Sequence, residues 1–246
     1  MIKQETVYEM RLVSALEKVF LDERPVYRPE CMKLTALKGE TVSFQAACTC
    51  TSFMKNRVKV RIESPISDRI HVRKVENVPA GRVCGPIVDD NYLKTESGLY
   101  PDLLRELVDG EVDIFPQKWR SIWIDIEVTE DVKAGLYPVT VILEKDGETL
   151  ARAATEVTIY DAVLPKQKMM HTEWFYLDCL ADYYHVPVFS EEHWEIITNY
   201  LKEYVKRGCN MILTPLFTPA LDTAVGIERT TTQLLDVRVE NGNYSF

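Results

Sequence analysis

Between Thr41 and Val128 the chain repeatedly alternates apolar and polar residues with a period of two. In TVSFQAAC, Val42, Phe44, Ala46 and Cys48 alternate with Thr41, Ser43, Gln45 and Ala47; in RVKVRIE, Val58, Val60 and Ile62 alternate with Arg57, Lys59 and Arg61. SIWIDIEV places Ile122, Ile124, Ile126 and Val128 on one side. Successive side chains of a strand point to opposite faces, so each segment predicts a strand with one dry and one wet face. YPVTVILEKDGETLARAATEVTIY reads as two further strands joined at Asp146-Gly147, a pair suited to a type I′ hairpin turn. Short alternating strands at this spacing predict an antiparallel β-sandwich over residues 1–165. Within it, GLYPDLLRELVDGEVDIFPQKWR, residues 98–120, carries Pro101 and Pro116 and no sustained period, which predicts a long ordered connection across the sandwich surface.

The pattern changes after YDAVLPKQK. MMHTEWFYL predicts a short strand, with His171, Glu173, Phe175 and Leu177 on one side and Thr172, Trp174, Tyr176 and Asp178 on the other, and Asp182, Tyr183 and Tyr184 fall in a loop. SEEHWEIITNYLKEYVKRG predicts a helix: Ser190 is its N-cap, Glu191 and Glu192 lie in the first turn, and Gly208 ends it after Lys206 and Arg207. Its apolar stripe is Trp194, Ile197, Leu201, Tyr204 and Val205, with His193 assigned a structural role. NMILTPLF then reads as a strand buried on both faces, as in a parallel sheet, and Asn241-Gly242 marks a second hairpin.

Strand, helix and strand make a right-handed βαβ unit. One such unit leaves both faces of its strands uncovered, so residues 166–246 are expected to be the N-terminal part of a (β/α)₈ barrel, truncated by the chain end. The fold class expected is therefore mostly β: an N-terminal antiparallel β-sandwich followed by an incomplete α/β segment resembling the first βαβ unit of a TIM barrel. The unpaired NMILTPLF edge predicts self-association into a homo-oligomer.

Charge and composition narrow the partners. A formal net charge of −9 would repel a phosphate backbone, so no nucleic acid is expected. No run approaches the ~18 apolar residues of a membrane helix, and the first twenty residues lack a signal-peptide core, so no membrane is expected and a cytoplasmic location is the default. The six cysteines, Cys31, Cys48, Cys50, Cys84, Cys179 and Cys209, show no metal-ligand spacing and read as free thiols. No grouping has the spacing of a metal site and no Gly-rich phosphate loop occurs, so no cofactor is implied.

GLYPDLL followed by KWRSIWIDIEVTEDVKAGLYPVTVIL resembles the N-terminal β-sandwich of glycoside hydrolase family 123. HTEWFYLDCLADYYHVPVFSEEHWEIITNYLKEYVKRGCNMILTPLFTPALDT is similar to the first strand, first helix and second strand of that family's catalytic barrel. The resemblance implies a carbohydrate partner and a retaining, substrate-assisted mechanism on a β-linked, N-acetylated hexosamine. There the sugar's 2-acetamido oxygen attacks the anomeric carbon, an Asp steadies that group, and the adjacent Glu protonates the leaving oxygen. No Asp-Glu pair follows residue 165, and Asp22-Glu23 reads as a solvated turn before Arg24-Pro25, so no catalytic residue is assigned and the chain alone is expected to be inactive.

Barrel ligands meet the C-terminal ends of the strands. For the first strand this selects Glu173, Trp174, Tyr176 and Asp178 as substrate-binding candidates, with His171 nearer the start; for the second it selects Thr214, Asp222 and, beyond them, Glu228 and Arg229. Carboxylates suit sugar hydroxyls and aromatic faces suit the apolar side of the ring. The alternative reading is a non-catalytic carbohydrate-binding or interaction sandwich.

Overall fold

Ten strands run through the first two thirds of the chain: β1 (Tyr8–Ser14), β2 (Lys33–Lys38), β3 (Thr41–Cys50), β4 (Asn56–Glu63), β5 (Ile70–Ala80), β6 (Gly98–Glu106), β7 (Glu111–Ile114), β8 (Arg120–Glu127), β9 (Gly135–Lys145) and β10 (Glu148–Val163). The computed structural model describes residues 6–26, 28–81, 91–214, 216, 234 and 238–245. The chain divides into two compact units, Met1–Leu164 and Pro165–Phe246. Among the described residues no helix is long and apolar enough to cross a membrane.

In the first unit the strands form two five-stranded sheets, ordered β1-β3-β8-β5-β6 and β2-β10-β9-β4-β7. The expected alternation builds the core between them. Phe44, Ile122, Ile124 and Ile126 from one sheet meet Val139, Val141, Leu143, Val157 and Ile159 from the other, all essentially without solvent contact. Each such side chain contributes about 1.5–3 kcal/mol by leaving water. β9 and β10 are joined at Asp146 (φ 52°) and Gly147 (φ 83°), the two positive φ angles of a type I′ turn.

Three features depart from the sequence expectation. Residues 98–120 are not a surface connection: they hold β6 and β7, both edge strands of their sheets. Pro101 lies opposite Asn77, where the β5–β6 register shifts. Proline lacks a ladder donor, and a bulged edge is where a sheet tolerates one. The sandwich is also not antiparallel throughout, because β2 pairs parallel to β10, from Lys33 opposite Glu156 onward.

Finally, the middle of β3, from Phe44 to Cys48, is dry on both faces. Ala47 joins Val13, Val19 and Trp119 in a small cluster on the outer side of the sheet, under the segment that follows β1. Gln45 is the polar anchor there: its Nε2 donates to the carbonyls of Ser14 (3.0 Å) and Glu17 (2.8 Å), and its Oε1 accepts from Ser121 Oγ (2.6 Å). Farther along the same face, Asp125 accepts from Ser43 Oγ (2.5 Å) and Trp123 Nε1 (2.7 Å) and pairs with Arg73. Burial alone would raise the Asp125 pKa; the Ser43 and Trp123 hydrogen bonds and the Arg73 charge outweigh it and hold the carboxyl below its ordinary value.

The second unit contains β11 (Thr172–Trp174), α1 (Leu177–Tyr184), α2 (Glu191–Lys206) and β12 (Met211–Leu213), then a hairpin of β13 (Arg238–Glu240) and β14 (Asn243–Ser245). β11 and β12 pair in parallel, with Thr172 opposite Met211 and Trp174 opposite Leu213, as a βαβ unit requires. The second hairpin turns at Asn241 (φ 51°) and Gly242 (φ 83°).

Candidate functional site

The site begins where β11 ends. Only Thr172–Trp174 is strand, and Leu177 already opens α1, so the expected longer strand and the loop at Asp182–Tyr184 are both corrected: those residues belong to a two-turn helix. The alternation through WFYLD imitates a strand, but its apolar members serve a helix face instead. Leu177, Leu180 and Ile197 form the buried seam between α1 and α2, with Phe175, Phe189, Ile196 and Leu201 against it.

Ser190 caps α2 as expected, its side chain accepting from the His193 N–H (3.2 Å), and the helix runs to Lys206. Its buried face is rotated from the expected stripe. Trp194 is 43% and Val205 68% exposed, whereas Ile197 and His193 are buried. His193 Nδ1 accepts from the Phe189 N–H (2.9 Å), which leaves the ring proton on Nε2 to donate to the Leu177 carbonyl (3.0 Å). A histidine with both nitrogens satisfied fits where an indole was expected, while Trp194 stacks on Phe189 at 5.4 Å.

Four of the sequence-selected residues fall in this region. Trp174 and Tyr176 stack at 5.7 Å between ring centroids and 9° between planes, and Trp174 keeps 65% of its surface exposed. They form a flat aromatic surface at the C-terminal end of β11. Glu173 is exposed but turns the other way, its carboxylate 3.4 Å from His171 Nε2. Asp178 is buried in the first turn of α1, where unpaired backbone N–H groups favour a negative charge. Asp222 and Arg229, with Glu228, lie outside the described residues.

Two positioning groups escape sequence reading. The Tyr204 hydroxyl on α2 accepts from the Glu173 N–H (2.6 Å) and donates to the Met211 carbonyl (2.7 Å), fastening the helix to both strands. Tyr200 and Tyr184 share a hydroxyl contact of 3.1 Å, and that hydrogen bond, with burial, pushes Tyr200 up to about 12. Tyrosine at helical spacing signals packing, and nothing in the sequence announces where its oxygen goes.

β12 carries a further message. Met211, Ile212 and Leu213 are all exposed among the described residues, against the expectation of a strand buried on both faces.

Two family models match the chain: the glycoside hydrolase 123 N-terminal domain over residues 20–145 and the glycoside hydrolase 123 catalytic domain over residues 174–246. Among solved structures the fold is similar to that of a family 123 glycoside hydrolase from Clostridium perfringens studied for glycolipid glycan hydrolysis, at 17% identity and a TM-score of 0.61. The match covers 84% of this chain and 37% of that enzyme, so the chain spans little over a third of its length. Weaker matches include the CARDB domain of a Pyrococcus furiosus protein (6% identity, TM-score 0.31, covering 63% of this chain and 96% of that one) and the β-glucosidase of Listeria innocua (10%, 0.30, 65% and 17%). No curated protein matches the chain. With the N-terminal domain model alone spanning half of its residues and the catalytic model beginning at Trp174, the chain belongs to glycoside hydrolase family 123.

Proposed function

We propose that residues 166–246 form the opening of a (β/α)₈ catalytic barrel and that Trp174 and Tyr176 are part of its sugar-binding rim. The observation that carries this reading is the stacked Trp174–Tyr176 pair at the C-terminal end of a parallel strand, in a family 123 chain. A pyranose offers an apolar face to such a surface, and barrel enzymes bind their ligands at this end of the strands. The exposed apolar strand Met211–Leu213 supports the barrel: parallel strands are stable when helices and neighbouring strands cover them.

The reaction proposed is retaining hydrolysis of a β-linked, N-acetylated hexosamine, with the sugar's own acetamido oxygen as nucleophile. The Asp-Glu pair that this chemistry needs is not among residues 166–246, so the acid would come from another part of the protein. Assay of the full-length protein on aryl β-glycosides with and without a 2-acetamido group tests the reading. Turnover confined to acetamido substrates is expected; equal rates on both would remove substrate assistance, and binding without turnover would favour a carbohydrate-binding role.

A further inference from the structure

Glu173, His171 and Cys209 stand in line on the side of the strand pair away from the aromatic surface. His171 Nε2 lies 3.4 Å from Glu173 Oε1, and His171 Nδ1 lies 3.9 Å from Cys209 Sγ. The three come from two segments that the backbone holds in fixed register. The Asn210 and Met211 N–H groups donate to the His171 carbonyl (3.0 and 3.2 Å), the His171 N–H donates to Asn210 Oδ1 (2.9 Å), and Asn210 Nδ2 donates to the Met169 carbonyl (3.0 Å).

From this arrangement we infer that Cys209 is a peroxide-reactive thiol, with His171 as its base and Glu173 as the residue that positions His171. A carboxylate 3.4 Å from Nε2 and a sulfur 3.9 Å from Nδ1 set the three groups in the nucleophile, base and orienter order of thiol chemistry. Cys209 is buried beside two side chains that face solvent. The Cys209 residue is 7% exposed, while the His171 and Glu173 side chains are 51% and 64% exposed.

The step balances within the named groups and the oxidant. Sulfur attacks one peroxide oxygen, an S–O bond forms and the O–O bond breaks. The thiol proton passes to His171 Nδ1 and then to the departing hydroxide, giving water. Sulfur is oxidised by two electrons to the sulfenic acid and peroxide is reduced. Cys48 provides the contrast inside the same chain: burial pushes its thiol up to about 12, and its Sγ faces the Arg120 carbonyl at 3.6 Å rather than a base.

The test is treatment of the full chain with hydrogen peroxide, capture of sulfenic acid by dimedone, and mass spectrometry of each cysteine. Cys209 is expected to label at least about tenfold faster than Cys48, and His171→Gln to slow Cys209 by at least about tenfold, within the usual range of a lost general base, with the exposed Cys179 unchanged. Cys209 labelling no faster than Cys48, or a rate indifferent to His171→Gln, overturns the assignment. If circular dichroism shows that His171→Gln loosens the fold, Glu173→Gln decides instead: a several-fold slower Cys209 supports the relay, and an unchanged rate overturns it.

Discussion

His193 Nε2 lies 3.0 Å from the carbonyl oxygen of Leu177, so the imidazole of one helix is bonded to the first turn of the other. Its second nitrogen holds the Phe189 N–H at 2.9 Å. Replacing His193 by Leu fills the volume but takes the acceptor from the Phe189 N–H and the second donor from the Leu177 carbonyl. We expect a loss of about 1–3 kcal/mol, read as a lower urea midpoint, with His193→Asn recovering part of it. A His193→Leu protein as stable as the wild type would show that the α1–α2 seam rests on its apolar contacts alone.

The Asp125 cluster sets an acid limit on the sandwich. Its carboxyl titrates below the ordinary value in the folded protein, so the unfolded chain binds the proton more readily. The stabilisation is complete above the ordinary carboxylate value of about 4 and is lost as pH falls through the lower folded value. Urea midpoints measured from pH 6 down to pH 2.5 should drop more steeply for the wild type than for Asp125→Asn, which itself should cost roughly 1–3 kcal/mol at pH 7. Parallel pH profiles for the two proteins would contradict this.

Gln45 holds the segment after β1 against the outer side of the sheet through the Ser14 and Glu17 carbonyls. Gln45→Leu removes those donors and leaves Ser121 Oγ without its 2.6 Å partner. Hydrogen exchange is expected to accelerate first at Glu17, whose N–H bonds to Ser14 (3.1 Å), and at Trp119, whose N–H bonds to Leu21 (2.8 Å). Unaltered protection at both sites would mean that the Val13–Val19–Trp119 cluster is enough.

On the proposed function, Trp174→Ala and Tyr176→Ala in the full-length protein should each raise KM with little change in kcat. Loss of one aromatic face is worth about 1 kcal/mol, or roughly five- to tenfold in KM. A fall in kcat at constant KM would move the pair from sugar binding to the reacting centre.

Much of the fold is legible because period-two alternation is a property of the strand backbone itself: Ile122, Ile124 and Ile126 could face only one way. Edges are harder. Among the described residues β6 is paired on one side only, and its proline sits at a bulge, so the pattern that identifies interior strands fades there. The second unit misleads for a different reason. Trp194 is the largest apolar side chain on its helix and the periodicity places it inward, while the buried slot belongs to His193, whose suitability depends on two backbone groups, four and sixteen residues before it. Glu173 and Trp174 were legible as chemistry but not as geometry: neighbours on a strand point apart, one toward His171 and the other toward Tyr176.

The parallel pairing of β2 with β10 has a consequence for synthesis. The Lys38–Asp161 ion pair on this seam joins residues 123 positions apart, and among the described residues β2 has no other strand beside it in the sheet. At ribosomal rates of about 5–20 residues per second, β2 therefore waits on the order of ten seconds for its partner to emerge. Until then the nascent sandwich carries an unpaired edge, and chaperone engagement or cotranslational misassembly would concentrate on Lys33–Lys38.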